Sequence, residues 1–140
     1  MKKIWIAACV YAALGLFAGL LYRTLTHSMD VIPKTQLATL HTHLLSLGMI
    51  VMLVVLALDA VFHISNTRAF KGFFHGYNTG LALTAGVMLW QGIVQLGGHK
   101  AGAAAAGIAG LGHIAITVGI VFLLVSLAGP VRELAASRES

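Results

Sequence analysis

The chain has 140 residues, of which 59% are apolar and only 9% charged, with nine Lys or Arg against four Asp or Glu. Soluble domains carry about a quarter charged residues, so this composition excludes a soluble globular or disordered protein. The formal charge of +5 is read first as membrane topology, not as nucleic-acid affinity, because basic residues gather on the cytoplasmic side of membrane proteins.

A helix needs about 20 mainly apolar residues to cross a bilayer. Runs of that kind lie at about 4–24, 35–62, 72–98 and 102–129. They are too long and too uniformly apolar for the alternating strands of a β-barrel. Short connections favour antiparallel neighbours. The expected fold is therefore all-α, a single four-helix transmembrane bundle running up-down-up-down over residues 1–140.

Helix 1 follows Lys2 and Lys3 and is read as a retained span, not a cleaved leader. Its inward stripe is Tyr11, Gly15, Ala18 and Tyr22. The single cysteine, Cys9, excludes an intrachain disulfide and is read as a small packing residue. The segment "THSMDVIPKT" then leads to helix 2, with Pro33 suited to a helix start.

Helix 2, "QLATLHTHLLSLGMIVMLVVLAL", carries His41 and His43 near its start. At about 100° per residue, His41 falls on one stripe with Gly48, Met52, Val55 and Asp59. Asp59 is an acid well inside a span, and such groups turn toward the bundle interior. On an undistorted helix His41 therefore points inward, whereas the His43 stripe of Leu47, Ile50, Val54 and Val61 is wholly apolar.

Helix 3 has a polar stripe of Tyr77, Thr84, Met88, Gln91, Gln95 and His99. An unsatisfied amide in hydrocarbon costs several kcal/mol, so this stripe faces the bundle centre. Helix 4 places His113 on a stripe with Ala106, Thr117 and Ile120, and is expected to stop at Gly129-Pro130. Glycine pairs Gly15/Gly19 and Gly76/Gly80 mark close helix packing. Lys2, Lys3, Arg68, Lys71, Arg132 and Arg138 gather on one face and Arg23, Lys34 and Lys100 on the other, which sets both termini in the cytoplasm.

His41, His43, His113, Gln91 and Gln95 fall in one half of the bundle and predict a polar cavity there. Facing imidazoles on transmembrane helices suit a non-covalent b-type haem, there being no C-x-x-C-H attachment signal. The expected axial pair is His41 and His113, with His43 as the substitute on helix 2. Gln91, Gln95 and Tyr77 border the site, and Arg23, Lys34 and Lys100 are placed to meet the propionates. Copper is the alternative, held by His41, His43, His113, Met52 and Met88, since imidazole and thioether suit Cu(I). A third reading is a metal-free channel or structural subunit, with Asp59 on a proton path. No phosphate-binding loop, nucleophile elbow or HExxH motif points to a kinase or hydrolase.

The stretch "LHTHLLSLGM" resembles the His-x-His helix of the haem-copper oxidase superfamily and of related nitric-oxide-response haem-copper membrane proteins. That resemblance implies a haem or copper ligand at His41 or His43. Through "QLATLHTHLLSLGMIV", "FFHGYNTGLALT" and "GIAGLGHIAITVGIVF", nearly the whole chain resembles small four-helix bacterial membrane proteins without an assigned function. The expectation is thus a haem b protein of a bacterial inner membrane. Its expected role is electron transfer or redox, haem or gas sensing. It would work with a redox partner protein or quinone, and a homo-oligomer is compatible with its size. If it is an enzyme, it is a membrane oxidoreductase.

Overall fold

The computed structural model describes residues 1–27, 29, 35–99 and 102–139. Pro33, Lys34 and Lys100 lie outside the described residues, and so do the readings made for them. Four helices dominate: α1 (Lys2–Thr26), α2 (Leu37–Phe62), α3 (Arg68–Leu96) and α4 (Ala103–Glu139), each long and apolar enough to cross a membrane. The protein is thus a multi-pass membrane protein, and large apolar side chains such as Leu16, Leu20, Leu111 and Leu124 line its outer surface, where lipid replaces water.

Neighbouring helices run antiparallel, as cross-helix packing shows. A Cβ on Gly15 would lie 2.7 Å from Leu45, and one on Gly19 would lie 3.7 Å from His41, so α1 and α2 run in opposite directions. Gly92 abuts Leu37, and the Tyr77 hydroxyl donates to the Leu47 carbonyl at 2.8 Å, which pairs α2 with α3 in the same way. Gly80 lies against Gly112, and Gly72 against Phe122, along α3 and α4. A Cβ on Gly80 would come within 2.6 Å of the Gly112 carbonyl. Only glycine permits that approach, and in lipid such close packing is the main source of helix association.

The bundle is open. α1 packs along α2 and α3 packs along α4, and the two hairpins meet through α2 and α3, while α2 and α4 touch only sparingly. The buried seam of α1 is Ile4, Ala8, Tyr11, Gly15 and Ala18, the stripe expected of it, with half-buried Tyr22 packed against the core. Cys9 is exposed on the outer face; it does not pack in the interior.

The ends of the helices have local causes. α2 stops at His63, which takes a left-handed conformation (φ 51°), and a 3-10 turn, Ile64–Asn66, follows. Thr67 then caps α3, its hydroxyl accepting from the Phe70 N–H at 3.1 Å. This cap is why α3 starts at Arg68 and not at the expected residue 72. α4 does not stop at Gly129-Pro130 but continues to Glu139 with Pro130 inside it. Proline removes one backbone bond, and the following "VRELAASRE", rich in good helix formers, carries the helix on.

The largest departure from regular geometry is in α2. Its turns Leu37–His43 and Val51–Phe62 are α-helical, but Leu44–Ile50 between them is π-helical. A π turn takes in an extra residue, and one residue is worth about 100° of rotation. The buried line consequently runs Leu37, Leu40, Leu44, Gly48, Met52, Val55, Asp59. Extrapolating from Asp59 and Met52 with uniform α geometry leads to His41. The real line passes through Leu40, one residue earlier.

Candidate functional site: a cleft with two histidines

Where α2 and α4 diverge, α3 floors a cleft of about 470 Å³. His43 from α2 and His113 from α4 line it, with Thr84, Met88 and Gln91 of α3 between them. Ala106, Ala109 and Gly110 make the α4 wall low and smooth. The depth match follows from antiparallel packing. Gly112 lies against Thr84 and Gly80, which brings His113, the next residue, to the level of the α3 floor.

Each imidazole is held by its own helix. His43 Nδ1 lies 3.1 Å from the Thr39 carbonyl oxygen, and His113 Nδ1 lies 2.8 Å from that of Ala109. A carbonyl oxygen only accepts, so Nδ1 is the donor in each contact and Nε2 is left without a partner among the described residues. A backbone bond of this kind is the usual outer-shell support of a metal-ligating imidazole, fixing tautomer and ring plane together.

His41, the expected partner of His113, is not on this cleft. The π segment turns it toward α1, where its ring packs beside Gly19. Its Nδ1 is buried there without a hydrogen-bond partner. The expected inward stripe of α4 also shifts. Ala106, His113, Thr117 and Ile120 are exposed, and the face against α3 is Ala105, Gly112, Ile116 and Gly119. His113 sits at the edge of that face, which is why it reaches the cleft at all.

The other candidates separate by depth and bonding. Met88 is buried and lines the cleft, whereas Met52 is fully enclosed in the core away from it. Gln91 lines the cleft. Gln95 Oε1 instead accepts from the Gln36 N–H at 2.8 Å, tying the end of α3 to the start of α2. Tyr77 is buried deeper, capping the Leu47 carbonyl inside the π segment. Arg23 lies in a shallow surface groove with Thr24 and His27, and Trp90 is exposed on the outer face of α3.

Asn78 carries no signal in the sequence, yet it accepts from the Tyr11 hydroxyl at 2.7 Å and donates to the Phe74 carbonyl at 2.6 Å. With Gly48 pressed against the Tyr11 ring, this forms a polar layer joining α1, α2 and α3 beneath the cleft. Asp59 sits at the far end of α2. Its Oδ1 accepts from the Ser65 N–H at 2.7 Å, and its Oδ2 lies 3.0 Å from the Met1 α-amino group. Among the described residues no three of His, Cys, Asp or Glu converge, so the cleft offers two imidazoles and one thioether.

Residues 1–129 match the model of a family described as "Protein of unknown function (DUF2871)", and the chain belongs to that family. No curated protein and no solved structure matches it.

Proposed function

We propose that this DUF2871 member is a haem b-binding membrane protein that works in electron transfer or in redox, haem or gas sensing, with His43 and His113 as the residues that would hold the iron. One observation carries the reading: two imidazoles from different helices line one cleft, each tied through Nδ1 to a backbone carbonyl and each with Nε2 free. Haem iron takes imidazole donors from the protein, and the cleft presents two of them. The small α4 wall and apolar Val87 suit a flat macrocycle, and Gln36 and Gln91 offer amide donors at its polar edge. When bound, haem supplies a one-electron iron couple. The chain would orient the group through His43 and His113, whose Nδ1–H bonds to the Thr39 and Ala109 carbonyls fix the ring planes and raise the basicity of the imidazoles. A redox partner protein or quinone belongs to this reading, as does an inner-membrane location with both termini cytoplasmic.

Met88 favours a second reading. Its thioether lines the same cleft as both imidazoles, a donor set that suits Cu(I).

Absorbance of the detergent-purified protein from haem-replete cells separates the two. A Soret band with sharp α and β bands after dithionite reduction is expected. His43→Ala and His113→Ala lose it and His41→Ala keeps it. An unchanged Soret band in both of the first two variants would sink the ligand assignment. A featureless spectrum with stoichiometric copper, lost in Met88→Leu, would replace haem by the copper reading.

A further inference from the structure

At the end of the bundle where α1 and α3 begin, their first turns enclose a second cavity, of about 310 Å³. Lys2 and Lys3 of α1 and Lys71 and His75 of α3 line it, and Ile4, Phe70 and Phe74 form its apolar side. Lys71 and His75 are four residues apart, so both project from one face of α3. Ile4 and Phe70 are buried, and the Phe70 and Phe74 rings stack with centroids 6.3 Å apart. The apolar side is therefore built by core residues, while the cations ring the mouth.

Topology alone calls for lysines at this end of the molecule. It does not call for them to share a cavity. Arg68, Arg132 and Arg138 sit at the same end, and none of them lines it. The acid behind this region does not oppose an anion. Asp59 is 1% exposed and both its oxygens are engaged, by the Ser65 N–H and the Met1 α-amino group. The start of α1 adds backbone N–H groups and the positive end of a 25-residue helix dipole.

We propose that this cavity binds the phosphate headgroup of one anionic phospholipid per chain. Phosphate is the chemistry that clustered lysines and a helix start recognise, and basic pockets between membrane helices are suited to anionic headgroups. A lipid, not free phosphate, is the occupant, because the phosphate-binding mouth is continuous with an apolar side of Phe70, Phe74 and Ile4. Trp5, one residue beyond Ile4, is 55% exposed on the outer surface, at the level where indole rings meet headgroups.

The test is native mass spectrometry of the protein released from micelles containing equal phosphatidylglycerol and phosphatidylcholine. One retained phosphatidylglycerol per chain is expected. Its retention falls about fivefold in Lys71→Gln, the effect of one lysine near an anionic headgroup, and further in Lys2→Gln/Lys3→Gln/Lys71→Gln. The variant Arg68→Gln/Arg132→Gln/Arg138→Gln removes the same charge from the same end and keeps the bound lipid. Equal loss in the two triple variants overturns the site in favour of diffuse surface charge. Displacement of the lipid by millimolar inorganic phosphate overturns the choice of lipid over free phosphate, and undiminished retention in the lysine variants overturns the proposal outright.

Discussion

At the scale of single residues, the side chains that fix this fold act mainly by satisfying backbone groups that lipid cannot solvate. Thr67 starts α3 by accepting from the Phe70 N–H while its hydroxyl donates to the Ile64 carbonyl. Thr67→Ala removes both bonds and is expected to lower stability by about 1 kcal/mol. The shift would be read as an earlier midpoint in detergent unfolding by SDS, and an unchanged midpoint would remove the cap from the account. Asp59 fits the same pattern, since its carboxylate ties the end of α2 to the turn after it. His43 and His113 do so in reverse: their rings spend one nitrogen on the backbone and leave the other available.

At the scale of elements, the π segment Leu44–Ile50 is the decisive feature. It separates a lower half of α2, whose buried face can be read by uniform helical spacing, from an upper half rotated by about 100°. Segments of this kind recur at functional sites, and here the rotation sends His41 toward α1 and His43 toward the cleft. Tyr77 supports the distortion from α3 by donating to the Leu47 carbonyl within it. Deleting Ser46 is expected to restore regular α geometry. It would turn the segment before the deletion by about 100° relative to Met52 and Asp59. The expected result is loss of the haem spectrum with far-ultraviolet circular dichroism preserved. A variant that keeps both would show that the π segment does not set the site.

At the scale of the whole molecule, two antiparallel hairpins joined through α2 and α3 leave α4 packed mainly on α3. That openness creates the two-histidine cleft, and a closed bundle would have filled it with side chains. The antiparallel order also sorts the described cations, with Lys2, Lys3, Arg68, Lys71, Arg132 and Arg138 at one end and Arg23 at the other. The positive-inside rule then predicts which end faces the cytoplasm. In a Cys9→Ser background, Arg23→Cys should react with a membrane-impermeant thiol reagent in intact cells. Arg138→Cys should react only after permeabilisation. The opposite pattern would invert the orientation.

The amino-acid sequence by itself determined the solvent, the helix number and the connectivity. Apolar runs of span length leave no other way to satisfy backbone polar groups in lipid, and short loops force antiparallel neighbours. It also determined the inward stripe of α1 and most of that of α3, because both helices are regular enough for 100° steps to hold over their length. Tertiary structure decided what those steps could not reach. The π segment, which carries no residue signature in "LLSLGMI", broke the extrapolation from Asp59 to His41. The close approach of Gly80 to Gly112 decided which side of α4 is buried and left His113 at its edge. Which imidazole shares a cleft with His113 depends on that rotation and that approach together. The approach is a contact between helices, and the π segment is braced by another, the Tyr77 hydroxyl on the Leu47 carbonyl, so stepping along one helix reaches neither.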